Sequence, residues 1–282
     1  MSLFSLWPSN LNDVMKELSH LVFILFLLIS FSCSKKSSSS KRETRIDEAQ
    51  VEEILNNQDF DCASLGGSCP EGISRIFILH PTNPERSAVC TGFMVSPTRL
   101  VTNNHCVPDS ATCRNTFIAT YTGGTYEKTR CRSIIRTDQD VDDPNDPARR
   151  IDYTIMETAD RYTGNVLPLS TTLAEANDEI HSWVIDHTGL DQFPSNLLES
   201  RITELECTVL DQTERASLMM MKCPIISGNS GAPALNTAGE VIGIIWGGSL
   251  GTIDSNLDLD IRRDLDEVGL ATEVNHFRDA AN

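Results

Sequence analysis

The chain has 282 residues, 40% of them hydrophobic and 22% charged, which is enough apolar material for one substantial globular domain or two small ones. A disordered protein would carry less. The formal net charge of -17 speaks against a nucleic-acid partner, because neutralising phosphates takes clustered Lys and Arg, and here these occur only in short pairs.

In chain order, the apolar run Leu21 to Phe31 comes first, with Lys16 ahead of it and Cys33 behind. It falls short of the about 20 apolar residues a membrane-spanning helix needs, so it reads as the apolar region of a secretory signal. Met15 before Lys16 is a more natural start for such a signal than Met1. The stretch Ile29-Ser30-Phe31-Ser32-Cys33 resembles a bacterial lipoprotein signal, in which the cysteine is lipidated and becomes the mature N-terminus. Ser30 and Phe31 depart from that pattern, which keeps cleavage by an ordinary signal peptidase open as the alternative. Residues 34 to 45, rich in Ser, Lys and Arg, read as a flexible tether, and 46 to 57 as a short helical pattern.

The globular part starts near Phe60. From there the apolar runs are short, rich in β-formers and bounded by Gly, Pro, Asn or Asp: Ser74 to Leu79, Ala88 to Val95, Arg99 to Thr102, Thr116 to Tyr121, Tyr153 to Glu157, His181 to Ile185, Ile202 to Leu210, Leu218 to Cys223, Ala232 to Leu235 and Val241 to Trp246. Such spacing with few helices predicts an antiparallel barrel or sandwich. Asp138, Asp140 and Asp142 alternate as in a calcium-binding loop, but Asp143 and Arg149 stand where that loop needs Gly and Glu, so Asp138 to Asp146 read as a solvated acidic loop. Near the end Ile253, Leu257, Ile261, Leu265 and Val268 recur at close to helical spacing, with Gly269 as a possible cap. That predicts a surface helix or an inserted loop before a last segment, Leu270 to Phe277.

Of nine cysteines, eight remain if Cys33 is lipidated or removed, and an even count in an exported chain implies a disulfide framework. The expected pairs include Cys62 with Cys69, and Cys113 with Cys131 and Cys207 with Cys223, the last two each tying what read as the arms of a hairpin. The absence of any Cys-x-x-Cys pair argues against zinc, and neither a metal nor a cofactor is expected.

Gly228-Asn229-Ser230-Gly231-Ala232-Pro233 taken alone reads as a turn. A serine hydroxyl becomes a nucleophile only when a base takes its proton, and the reaction needs donors for the oxyanion. Glycines on both sides of Asn229-Ser230 let the backbone aim the amides of Gly228 and Ser230 at one point. Upstream, Cys90 to Val95 followed by Leu100-Val101-Thr102-Asn103-Asn104-His105-Cys106 predicts a strand, a turn and a second strand ending on a histidine. The other histidines, His20 in the signal and His80, His181, His187 and His276, lack such a context.

These motifs resemble the trypsin-like, chymotrypsin-fold serine proteases, in which Thr-Ala-Ala-His-Cys presents the catalytic base beside a disulfide. The resemblance implies an all-β fold of two six-stranded antiparallel β-barrels with a short C-terminal helix, behind a disordered signal and tether. It implies the pairing of Cys90 with Cys106 and a chain order His, Asp, Ser. Ile151-Asp152-Tyr153-Thr154-Ile155-Met156 is similar to the family's Asp-Ile-Ala-Leu, so Asp152 is the implied third member, ahead of the other acids of 138 to 152. An aspartate merely capping a strand is the plain alternative.

Within the family, Ser227 to Ala234 and Gly239 to Gly248 resemble the bacterial V8-like glutamyl endopeptidases, and the likeness covers about residues 74 to 248. Ile245 replaces the histidine that receives the substrate carboxylate there. Pro224-Ile225-Ile226-Ser227 lacks the aspartate that gives trypsin its Lys/Arg preference, and Asn229 is uncharged where trypsin's activation switch needs an acid. The implied substrate-binding residues are Ile225, Ile245, Trp246 and Gly247, with Trp246 to Gly248 as an edge for substrate backbone, and P1 is expected to be apolar or small.

The expected layout is a signal over 1–33, a tether or propeptide over 34–58 and a protease domain over 59–282. The protein is expected to be a monomer acting on protein or peptide substrates, secreted or tethered to the envelope through Cys33. The reading from another class is a catalytically silent protease-like binding module. Such homologues usually lose a triad residue, and His105, Asp152 and Ser230 are all present.

Overall fold

The computed structural model describes residues 53, 56, 61–62, 68–80, 87–139, 151–187, 200–210, 218–226, 228–249 and 268–282. The signal with Cys33, the tether to residue 52, the acids of 140–150, Ser227 and the helical spacing at 250–267 lie outside them. Glu53 and Asn56 are helical.

Strands β1 (Asp61–Cys62), β2 (Ile73–Ile78), β3 (Ala88–Ser96) and β4 (Arg99–Thr102) come first, then a short helix α1 (Ser110–Cys113) capped by the Asp109 side chain. After it come β5 (Thr116–Tyr121), β6 (Tyr126–Gln139), β7 (Asp152–Thr158), β8 (Glu179–His187), β9 (Ser200–Val209) and β10 (Leu218–Lys222). The chain ends with β11 (Pro233–Leu235), β12 (Val241–Ser249), β13 (Val268–Glu273), a 3-10 turn (Val274–His276) and a short helix α2 (Arg278–Ala281). Among the described residues no helix is long and apolar enough to cross a membrane.

The strands close into two six-stranded antiparallel barrels. The first runs β2-β3-β4-β7-β6-β5. The second runs β9-β10-β13-β12-β11-β8 and closes through the β8–β9 pairing, with β1 added in parallel along β9 through Asp61↔Arg201 and Cys62↔Ile202. Closure leaves each barrel without long free edges, and alternating side chains fill its interior. One buried cluster, with Ile76, Met94, Leu100, Ile118 and Met156, belongs to the first barrel. Another, with Ile180, Val184, Met219, Met221 and Ile245, belongs to the second. A third joins Phe93, Tyr153 and Ile155 of the first barrel to Ile185, Ile202 and Ile244 of the second and to Val274 and Phe277. The C-terminal segment therefore bridges the barrels: Phe277 stacks at a tilt on Tyr153, 5.8 Å between centroids, and Arg99 Nη1 donates to the Ala281 carbonyl at 2.9 Å.

Two expectations need correcting. Asp138 is not loop but part of β6, opposite Tyr153, so the strand runs to the threshold of Asp152 through Gln139↔Asp152. Val268 and Gly269 do not end a helix: both lie in β13, where a Cβ at Gly269 would come within 2.8 Å of Ile225 Cγ1. Backbone pairing with β10 and β12 on both sides outweighs the local spacing there.

The disulfides join Cys62 to Cys69, Cys90 to Cys106, Cys113 to Cys131 and Cys207 to Cys223. The Cys207–Cys223 bond does close the antiparallel β9–β10 pair. Cys113 instead sits on α1 and pins that helix onto β6, so this bond does not tie two arms of one hairpin.

Candidate active site

His105 lies in the turn that follows β4. The antiparallel register Thr102↔Thr154 carries the turn to the head of β7, so that Asp152, at the first position of that strand, arrives beside it. Three further bonds fix the turn to the head of β7 and to β6, and a fourth closes the turn on itself. Asn103 Nδ2 donates to the Asp152 carbonyl at 2.8 Å, Thr154 Oγ1 to the Val107 carbonyl at 2.9 Å, Val107 N–H to the Asn103 carbonyl at 3.2 Å, and Asn104 Nδ2 to Thr137 Oγ1.

The outcome is a two-point grip on one carboxylate. Asp152 Oδ2 is 2.5 Å from His105 Nδ1, and Asp152 Oδ1 accepts from the His105 backbone N–H at 3.1 Å. The Asp152 side chain is fully buried while the His105 ring is 37% exposed. A buried carboxylate facing Nδ1 holds the proton there and leaves Nε2, on the open side of the ring, as the basic nitrogen. Thr272 Oγ1 of β13 accepts from Asp152 N–H at 3.1 Å, tying the head of β7 to the second barrel.

Ser230 sits in the loop between β10 and β11. Gly228 has φ 94° and Gly231 φ 90°, both in the left-handed region that glycine adopts without strain. The Asn229 carbonyl accepts from Ala232 N–H at 3.0 Å. Because the peptide is planar and trans, that bond turns the Ser230 N–H the opposite way, out of the loop. Ser230 is half-buried, and its carbonyl accepts from Thr91 N–H at 2.8 Å. Thr91 follows Cys90, whose disulfide reaches Cys106 next to His105, so a short path of one hydrogen bond and one disulfide links the serine loop to the histidine turn.

The residues expected from the sequence to bind substrate divide into two pairs. Ile245 is fully buried, and both its backbone groups are taken by the serine loop: its N–H donates to the Ala232 carbonyl at 2.9 Å and its carbonyl accepts from Gly231 N–H at 2.7 Å. Ile225 is buried against β13. Trp246 falls within the register shift between Ile245 and Gly247 and is 8% exposed, and Gly247 is half-buried. Beside them Ile226 is 51% exposed.

Among the described residues, one group of His and Cys atoms lies close enough together to hold a metal ion: Cys90, His105 and Cys106. Its two sulfurs are bonded to each other. His181, remote from this turn in sequence, lies with its Nδ1 2.9 Å from Glu204 Oε1 across β8 and β9.

Thr91, Asn103 and Thr272 are supports that reading the sequence missed. Each acts on a residue far along the chain, from 49 to 139 positions away, and no spacing rule links them.

The sequence profile of the family described as "Trypsin-like peptidase domain" matches residues 90–244. No curated protein matches the chain. The fold resembles solved structures of low identity. An inactivated protease paralogue of the scabies mite has 14% identity over 76% of this chain and 94% of its own, with a TM-score of 0.52. A Glu endopeptidase has 15% identity over 73% and 87%, with a TM-score of 0.50. The active form of the Rv3671c protease of M. tuberculosis has 16% over 80% and 84%, with a TM-score of 0.49. At such identities the first two likenesses speak for the fold alone. The profile spans more than half of the 282 residues and both motif regions, and the chain belongs to the trypsin-like peptidases, a family of serine-type proteases acting on protein or peptide substrates.

Proposed function

We propose that the protein is an exported serine endopeptidase in which Ser230 is the nucleophile, His105 its base and Asp152 the group that orients the base. The observation that carries this reading is the buried Asp152 carboxylate held 2.5 Å from His105 Nδ1, with the Ser230 loop bonded to the strand beside them. In the forward step His105 Nε2 takes the Ser230 Oγ proton as Oγ attacks the scissile carbonyl. The amides of Gly228 and Ser230 take up the oxyanion, His105 returns the proton to the leaving amine, and water then hydrolyses the acyl-enzyme by the same route. The residues proposed to face substrate, Ile225, Ile245, Trp246 and Gly247, bring no charge. A charged P1 group there would lose hydration at a cost on the order of several kcal/mol, which favours an apolar or small P1 residue.

A fluorophosphonate probe is expected to label the wild-type protein and not Ser230→Ala, and a peptide-library digest to cut after apolar or small residues. A folded wild-type protein that takes up no label sinks the enzyme reading in favour of a silent binding module. Cleavage mainly after Glu, Lys or Arg sinks the P1 assignment.

Four disulfides suit an oxidising compartment, which agrees with export. We further propose residues 1–33 as signal, 34–58 as tether or propeptide, and Cys33 as the lipid anchor of a monomer. Labelled palmitate fed to expressing bacteria is expected to enter the wild type and not Cys33→Ser. Equal release of both into the medium would overturn the anchor.

A further inference from the structure

The serine loop is held from both barrels by groups that carry no charge. Thr91 in β3 is fully buried, and every polar group it has serves this contact or its support. Its N–H donates to the Ser230 carbonyl at 2.8 Å, and its carbonyl accepts from Thr102 Oγ1 at 2.8 Å. Its hydroxyl donates to the Gly228 carbonyl at 3.0 Å and accepts from Ile185 N–H at 3.3 Å. Ile185 belongs to β8 of the second barrel, and its own carbonyl accepts from Asn229 Nδ2 at 3.3 Å. Asn229 is 1% exposed, and its Oδ1 accepts from Ile226 N–H at 2.9 Å, closing the loop on itself. One residue of the second barrel thus grips both residues ahead of Ser230, Asn229 directly and Gly228 through a hydroxyl of the first barrel.

We propose that Thr91 and Asn229 are positioning residues, forming a neutral clasp that keeps the oxyanion-binding turn in working shape without any newly formed charge pair. The proposal rests on the peptidase reading above. Its physical basis is the freedom of Gly228, whose φ of 94° makes it the soft joint of the loop. With its carbonyl fixed by Thr91 Oγ1, the Gly228–Asn229 peptide plane has one orientation. Released, that plane can rotate and carry the neighbouring amides off the point where the oxyanion forms. The hydroxyl is the only part of Thr91 that can donate and accept at once. Valine keeps the shape and leaves the Gly228 carbonyl and the Ile185 N–H unpaired.

An oxyanion forms only in the tetrahedral states that lead into and out of the acyl-enzyme, not in the bound substrate, so the loss should fall on kcat and spare KM. Thr91→Val is expected to lower kcat, and the rate of fluorophosphonate labelling, by about 10- to 100-fold with KM changed less than about twofold, the scale set by misplacing one oxyanion donor. Thr91→Ser, which restores the hydroxyl, is expected to recover most of the loss. A folded Thr91→Val with wild-type kcat and labelling rate overturns the proposal, as does a loss confined to KM.

Hydrogen exchange on the wild-type protein tests the clasp without any variant. The Ile185 and Ile226 amides should be as protected as the β12 ladder amides, and fast exchange at either overturns the clasp. A wild type that never labels refutes the peptidase reading, and these exchange rates still decide the clasp.

Discussion

Asp152→Asn is expected to lower kcat by about ten-thousand-fold while leaving the protein folded, the scale seen when an orienting carboxylate of such a triad becomes an amide. The fully buried carboxylate accepts from His105 Nδ1 and from the His105 backbone N–H, and Asn can preserve only one of these as drawn. With Oδ1 kept on the backbone N–H, the new amide points its own N–H at Nδ1. The ring must then carry its proton on Nε2, where it can no longer accept one from Ser230. Steady-state kinetics on a chromogenic peptide reads the effect, with a melting curve as the control for folding. Asp138→Asn is the matched comparison, since Asp138 pairs with Tyr153, one position along β6 from the Gln139 that pairs with Asp152, and is expected to leave kcat within about twofold. A loss below about tenfold in Asp152→Asn, or a larger one in Asp138→Asn, would assign the orienting role elsewhere among the acids of 138 to 152.

Gly231→Ala is expected to destabilise the protein by about 3–5 kcal/mol and to abolish labelling of Ser230. A Cβ there would sit 2.0 Å from the Thr91 carbonyl oxygen and 2.5 Å from Thr102 Oγ1, and φ of 90° is strained for any L side chain. The strained dihedral costs about 1–3 kcal/mol and overpacking a similar amount. The obstacle is backbone in a closed barrel, which cannot swing away as a flexible side-chain tip would. Gly239→Ala provides the contrast, because φ is also positive there, at 79°, but nothing lies within 4 Å. It should lose only the dihedral penalty. Denaturant melts of the two variants separate strain from collision, and equal losses would show that collision with Thr91 contributes nothing.

The strands of both barrels were legible wherever an apolar run ended on a turn residue, as at Arg99–Thr102 and Thr116–Tyr121, whose bounds agree between sequence and structure. Strand β6, Tyr126–Gln139, escaped that reading because its 14 residues are mostly charged or polar and only Cys131 among them is buried. It is held by backbone pairing to β5 and β7, which composition does not reveal. Arg75 shows the converse. An arginine in mid-strand ordinarily marks a solvent face, yet it is 1% exposed, and burial pulls its pKa down to about 10. β2 is covered on both faces, by the interior of its own barrel on one and by the joint between barrels on the other, so alternation along the strand loses its meaning.

The same division runs through the Ser230 loop on which the peptidase reading turns. By itself the sequence determined the fold class, the family and the short windows around His105, Asp152 and Ser230, because a tight turn, a half-cystine and an acid heading an apolar strand are local demands on residue type. Only the tertiary structure decided what holds those windows together. Thr91, Ile185 and Thr272 are common residues in ordinary strands, and they become supports only when barrel closure brings together groups 44 to 139 positions apart in the chain. Hydrogen bonds over such separations depend on register and packing, which leave no periodic trace in the sequence.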